Sequence, residues 1–431
     1  MRFILVFLAF NLIVIVHEIG HFMVAKLSDI QVHEFSIFFG PKLFGFKKGE
    51  TEYNFRLLPL GGYVRMEGEE EKSESKRAYN KKPLLVRAAV LFSGPLANLL
   101  FALITLTIVI SITGYSTTVI DTVVEGSPAE RAGLMAGDKV ISYDGRRIYQ
   151  TMDLGVFLYY TVKGEPAPIV VERNGTRQEY ILQADVIPPQ ERYIFGFVPK
   201  SAEGTDSNVV QSVDAASPAG KAGLLPGDKI IRLDDIEITN RQQINDYTMQ
   251  KKDNPIKVTV LRDGSEKELN ITPYLVKSDE QYDLGLIFAT AEPNILSAIG
   301  QAVAYSLSTI RSSYLSILWM ITGAVAIGQA MGPVGIIDAM NDVVQQSPTF
   351  SLVILNLLNV SAFISIALGI SNLLPIPPAD GSKLVLLGVE GIRRKPIPIE
   401  KEAFIMMAGF IIMLLLLVIL TYNDILRVFF S

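Results

Sequence analysis

The segment FILVFLAFNLIVIVHEIGHFMVA, Phe3 to Ala25, decides how the rest of the chain is read. It is long enough to cross a bilayer, which takes about 20 apolar residues, yet it carries two histidines and a glutamate. Ionisable groups inside such a run are costly and mark functional sites. It does not read as a signal peptide, because only Arg2 is basic ahead of it and no small-residue cleavage site follows. Further charge-free runs lie at Ala88–Ile120, Ser312–Ile337, Val343–Ala379 and Ala403–Asn423. The 431-residue chain is 49% hydrophobic and 19% charged, whereas about a quarter of a soluble domain is charged. A membrane protein lying in a lipid bilayer is expected. The absence of cysteine excludes disulfides, thiolate-zinc sites, iron-sulfur clusters and cysteine nucleophiles. A net charge of -5 gives no reason to expect nucleic acid as a partner.

Between these runs, residues 121–290 are polar and glycine-rich and read as a soluble insert, with Asn174-Gly175 and Asp263-Gly264 as hairpin turns. The insert contains a repeat. SPAERAGLMAGDKVISYD (Ser127–Asp144) matches SPAGKAGLLPGDKIIRLD (Ser217–Asp234) at an offset of 90, with 11 of 18 positions identical. Each copy reads as a β-rich stretch, a short helix opened by Ser-Pro, and a strand ending at an acidic turn.

Orientation follows from the lysines and arginines of the short loops. Residues 26–87 hold twelve of them, which places that loop in the cytoplasm and the insert outside. Lys383, Arg393, Arg394, Lys395 and Lys401 return the chain to the inside before the last run. One crossing between 290 and 380 is therefore needed, and it is assigned to Val343–Ala379. The run Ser312–Ile337, broken by Gly323, Gly328, Gly332, Pro333 and Gly335, reads as membrane-apposed or re-entrant. Four spans with both termini outside result.

His17-Glu18-Ile19-Gly20-His21 is an HExxH motif. The i, i+4 spacing puts both imidazoles on one helix face, where they can share a zinc ion, and Glu18 can serve as base toward a water held there. With only three histidines in the chain, chance would produce this pattern about once per thousand chains of this composition. A third ligand is required. His33, in the polar loop, reads as solvated. Asp380 is better placed: His17 lies about 24 Å along the first span at 1.5 Å per residue, and the third span, running in the same direction, ends at Asp380. Pro375, Pro377 and Pro378 break that helix and free backbone groups, which are tolerated only in a protein-lined or wet cavity.

The repeat pattern SPAxxAGLxxGDxI resembles the PDZ domains of bacterial proteases. HEIGH in the first span, the paired repeats and the segment Asn372–Gly381 together resemble the site-2 protease family of intramembrane zinc metalloproteases, particularly the bacterial regulators of sigma-factor signalling. Phe39-Gly40-Pro41, Arg56–Met66, Ser93–Asn98 and Gly332–Ile336 look like further landmarks of that family. Ala379 departs from it, since leucine is more usual there, but the carboxylate that follows is kept.

The resemblance implies one zinc ion held by His17, His21 and Asp380, Glu18 as the catalytic base, and substrate contacts from Asn372 and Pro375. It also implies a membrane-dipping hairpin over Glu52–Met66, turning at Gly61-Gly62, that pairs with an unwound substrate strand. Ser93-Gly94-Pro95 and Asn98 read either as a kink capping a polar cavity or as simple small-residue packing. The expected fold is a polytopic α-helical membrane protein with four transmembrane helices and an inserted pair of α+β PDZ domains. Its divisions are 1–27 (first span), 28–86 (cytoplasmic loop), 87–117 (second span), 118–200 and 201–290 (the PDZ pair), 291–342 (membrane-apposed segment), 343–402 (third span and metal segment) and 403–431 (fourth span). The expected activity is cleavage of single-span membrane proteins, such as trimmed anti-sigma factors or remnant signal peptides, in the bacterial inner membrane. Peptide segments would bind at the PDZ domains. The alternative is a non-catalytic PDZ scaffold with a structural metal.

Overall fold

The computed structural model describes residues 2–69, 71, 73–200, 207–214, 217–325, 331–347 and 349–430. Among the described residues, four helices are long and apolar enough to cross a membrane: Ile4–Leu27, Leu84–Thr113, Phe350–Leu373 and Glu400–Leu426. The first belongs to helix α1 (Arg2–Leu27) and the second is α2 (Leu84–Thr113), which ends at Gly114 with φ 74°. The two helices approach closely because small residues face each other. A Cβ at Gly20 would collide with the carbonyl oxygen of Ser93.

Between α1 and α2, two long strands, β1 (Val32–Lys48) and β2 (Thr51–Met66), form a sheet. This corrects the expected hairpin. The chain reverses at Gly49 (φ 64°), between the paired Lys48 and Thr51, and again between Phe55 and Gly62, but the two arms of this second turn do not pair with each other. β1 also bends at Phe38 (φ 72°) and Gly40 (φ 82°). Its first part, Glu34–Ile37, therefore lies between two segments of β2, paired with Glu52–Phe55 on one side and Gly62–Arg65 on the other. The partner was not expected because residues 28–50 read as loop, and strand pairing is set by contacts remote in sequence. Glu70, within the acidic run Glu67–Glu71, lies outside the described residues.

The insert folds as two α+β units. In the first, strands Leu286–Ala291, Tyr115–Val123, Lys139–Tyr143, Ala167–Arg173 and Thr176–Leu182 follow one another across the sheet, with the short helices α3 (Pro128–Arg131) and α4 (Thr151–Phe157). The second has strands Val210–Val213, Lys229–Leu233, Ile256–Arg262 and Ser265–Ile271, with α5 (Pro218–Lys221) and α6 (Arg241–Lys251). Both expected hairpin turns form, with Asn174-Gly175 and Asp263-Gly264 at positive φ.

Packing does not divide at residue 200. Leu284 lies in the core of the first unit and Phe195 in that of the second. The second unit is thus inserted into the first, which the chain leaves after Ala184 and rejoins at Tyr282. Two antiparallel ribbons join them, Asp185–Ile187 with Gln281–Asp283 and Glu191–Ile194 with Tyr274–Lys277.

Helix α7 (Ile295–Ile321) follows the insert and begins well before the run Ser312–Ile337, the start of which it contains. That run enters a separate helix, α8 (Pro333–Gln346), and its Gly328 lies outside the described residues. Polar residues on α7 interrupt the apolar signal because they face the first unit, while Ala298 and Ala302 pack against Ala102 and Leu106 of α2 and Ala362 and Ile366 of the third long helix, α9 (Phe350–Leu373). α9 starts later and stops earlier than Val343–Ala379, and Asp380 opens a new helix, α10 (Asp380–Arg393), instead of closing α9. The fourth long helix, α11 (Ile399–Phe430), turns mostly exposed apolar side chains outward. Its buried Asp424 accepts hydrogen bonds from the amides of Gly332 and Gly335 at the start of α8, at 3.2 and 2.8 Å. These amides have no partner within the helix.

Candidate metal centre

His17 and His21 lie one turn apart on α1, on the same face, with ring centroids 4.7 Å apart. Opposite them stands Asp380. Its position is set by the prolines between α9 and α10, which end one helix and let the next begin at the aspartate. Asp380 Oδ2 is 3.2 Å from His17 Nε2 and 3.3 Å from His21 Nε2, and the two Nε2 atoms are 3.1 Å apart. These three are the group of described residues whose donor atoms converge closely enough to hold a metal ion.

The spacing fits zinc. Arms of about 2.05 Å in a tetrahedral arrangement separate neighbouring donors by about 3.3 Å, and three protein donors leave one position open. The second ring nitrogens fit as well. His21 Nδ1 lies 2.8 Å from the carbonyl oxygen of Val90, to which its N–H donates, leaving Nε2 free as a ligand. His17 Nδ1 faces the carboxamides of Asn98 and Asn372 at 3.4 and 3.5 Å. Asn98 Oδ1 is buried without a hydrogen-bond partner. Half a turn of the Asn98 amide brings that oxygen onto the Nδ1–H of His17 and frees His17 Nε2 in the same way. Gly94 of α2 makes room for the pair, since a Cβ there would collide with both imidazoles. Ser93–Asn98 thus has a specific place in the site, and Asn98 in particular is a polar residue that an apolar helix would otherwise exclude.

A cavity of about 150 Å³ opens beside these atoms, lined by Glu18, His21, Tyr63, Val64, Met66, Glu69, Leu91 and Asp380. Glu18 therefore shares a space that admits water with two of the three donor residues, His21 and Asp380. Glu69 and Leu91 also line a second cavity of about 300 Å³, where Lys383 holds Glu69 at 2.9 Å. On the other side, Gly62 brings the edge of β2 against the site, because a Cβ there would sit 3.5 Å from Glu18 Cγ and 2.8 Å from the carbonyl oxygen of Ser36. Gly61 adopts φ 72° and packs under the Phe39 ring. Asn372 reaches His17, whereas Pro375 is exposed. His33 lies apart from the centre and pairs with Glu67 at 2.5 Å.

The profile of peptidase family M50 matches residues 5–416. The chain is 30% identical to the regulator of sigma-W protease RasP of Bacillus subtilis, over 97% of each chain. It is 31% identical to the zinc metalloprotease RasP of Geobacillus kaustophilus, covering 97% of this chain and 96% of that one. It is also 30% identical to the zinc metalloprotease RasP of Bacillus licheniformis, over 98% of each.

Proposed function

The chain belongs to peptidase family M50 and is an intramembrane zinc metalloendopeptidase; from that premise we propose that His17, His21 and Asp380 hold its single zinc ion and that Glu18 is its catalytic base. The carrying observation is that three donor atoms converge at tetrahedral spacing beside an otherwise apolar helix and that two of their residues, His21 and Asp380, line one cavity with Glu18. Bound zinc acidifies water and polarises a carbonyl. Glu18 takes a proton from the attacking water and delivers it to the departing amide nitrogen. Val90 and Asn98 hold the two imidazoles in the required tautomers.

Substrate arrives as a helix, which resists cleavage while its carbonyls are bonded internally. The edge of β2 at Gly61, Gly62 and beyond offers unpaired backbone groups beside Glu18, so an unwound stretch can add there as a strand, with Asn372 and Pro375 on the opposite side. The substrates are single-span membrane proteins, such as trimmed anti-sigma factors or remnant signal peptides. The four long helices cross the bacterial inner membrane, with both termini and the insert outside and the metal centre toward the cytoplasm. The two α+β units are PDZ domains that bind peptide segments and hold back substrates with bulky outer parts. The charge of residues 26–87 supports this orientation.

Reconstitution with a labelled single-span substrate tests the activity. Wild type cleaves it, and Glu18→Gln retains zinc and loses cleavage by at least about 1,000-fold. Zinc-loaded Glu18→Gln that still cleaves would contradict the assignment.

A further inference from the structure

Glu34 is a nearly buried carboxylate, 5% exposed, in the middle segment of the β1–β2 sheet. One of its oxygens, Oε1, accepts three hydrogen bonds: from Asn54 Nδ2 at 2.7 Å, Arg56 Nη2 at 2.5 Å and the Tyr63 hydroxyl at 2.8 Å. Asn54 and Arg56 come from the β2 segment on one side of Glu34, and Tyr63 from the segment on the other. Arg56 extends the tie, donating from Nε to Ser36 Oγ at 3.0 Å and from Nη1 to the carbonyl oxygen of Gly40 at 2.7 Å. It thereby braces the bend in β1. A carboxylate placed inside a small sheet is costly unless several donors satisfy it; here those donors join all three neighbouring segments.

The segment that Tyr63 fastens is the one whose next residue back, Gly62, lies against Glu18 and whose Val64 and Met66 line the metal-centre cavity. We infer that Glu34 is a positioning residue for proteolysis, acting through Tyr63 to hold the Gly62–Met66 edge at the distance from Glu18 where an unwound substrate strand can pair. The inference rests on the proposed proteolysis and deepens it. Glu34 touches none of His17, Glu18, His21 or Asp380, so its loss leaves the zinc site intact while displacing the surface that captures the strand. Misplacement of such a surface by about 1 Å costs on the order of 100-fold in rate.

The test uses the full-length protein in bilayers with two labelled single-span substrates, identical except that one helix is interrupted at mid-span by Pro-Gly. The interrupted substrate is already unwound and depends less on capture by the edge. Glu34→Ala is expected to retain one zinc, to lose about 100-fold in kcat/KM on the continuous helix, and to lose no more than about tenfold on the interrupted one. Tyr63→Phe, which removes one of the three bonds and preserves the ring packing, is expected to show the same selectivity at about fivefold, and it serves as the readout if Glu34→Ala does not fold. Equal losses on both substrates, or no loss on either, would overturn the positioning role while leaving the protease assignment standing. Failure of wild type to cleave either substrate would overturn the assignment itself, and this inference with it.

Discussion

The two units of the insert share an interior and differ in what they touch. In the first, Asp138 pairs with Arg173 at 2.7 Å and accepts the amide of Met135; in the second, Asp228 pairs with Arg262 at 2.6 Å and accepts the amide of Leu225. Ser127 and Ser217 cap α3 and α5 alike, and each packs against a glycine at positive φ, Gly285 and Gly196, where a Cβ would collide with the serine. The outer faces have diverged. Asp153, at the start of α4, accepts the amides of Tyr149 and Gln150 but also meets Ser308 and Arg311 of α7, the latter at 2.8 Å. Gln243, the matching position of the second unit, accepts only Thr239, through its amide and hydroxyl, and is exposed. Arg311 also lies over the rings of Tyr149 and Phe157, and Tyr160 stacks on Trp319. One unit is thus fastened to a helix that packs on α2 and α9, which carry Asn98 and Asn372. The other is joined through the two ribbons. The two cores are built alike, and Asp153 with Arg311 and Ser308, together with the Tyr160–Trp319 stack, fastens one of them to α7.

This contrast can be broken most strongly at Arg311. Arg311→Ala leaves Asp153, with no exposed side-chain surface, as a buried unpaired charge, which should cost about 3–5 kcal/mol of docking. Hydrogen exchange should rise in α4 and α7 and stay unchanged in α6; equal protection in α4 with and without the arginine would show that the fastening lies elsewhere. A smaller and symmetric effect is expected from Asp138→Asn and Asp228→Asn. Each removes a charge-assisted pair for about 2 kcal/mol, measured by urea unfolding, and unequal losses would mean that the two interiors are not equivalent.

The same carboxylates give the units a common acid sensitivity. Burial pushes Asp138 and Asp228 up, but the bonds and charge of Arg173 and Arg262, together with the backbone amides, outweigh it and hold both below the ordinary value. Groups whose folded-state value is depressed stabilise fully above the unfolded value, about pH 4, and lose that contribution as pH falls through the folded value. Both units should therefore hold this contribution down to about pH 4 and lose it below, and the two asparagine variants should lose the dependence. The smallest effect is reserved for Gln243→Ala, which removes a local cap and should cost no more than about 1 kcal/mol with no change in α7.

What could be seen in the sequence follows from how local each signal is. His17, Glu18 and His21 declare themselves because ligand pair and base occupy five residues of one helix, and Asp380 because helix length and loop charge bring it to the same depth. The repeat is visible through its identities. Features that depend on distant partners were hidden. β1 looked like loop because its alternation matters only against β2, and the return of Leu284–Ala291 to the first unit lies beyond the identical stretch. Arg311 reads as an ordinary charge until Asp153 is placed beside it. Asn98 left a trace, a polar residue in an apolar helix near Gly94, but small-residue packing explained it equally well until His17 stood opposite.

In the proposed metal centre, side chains from opposite ends of the chain converge on one zinc ion. This convergence is tested most directly by zinc content and zinc K-edge absorption of the purified full-length protein and of Asp380→Ala. One zinc per chain is expected, with two imidazole nitrogens and a carboxylate oxygen around it, and loss of most of the metal on removing Asp380. Full zinc occupancy with an unchanged spectrum in Asp380→Ala would contradict it.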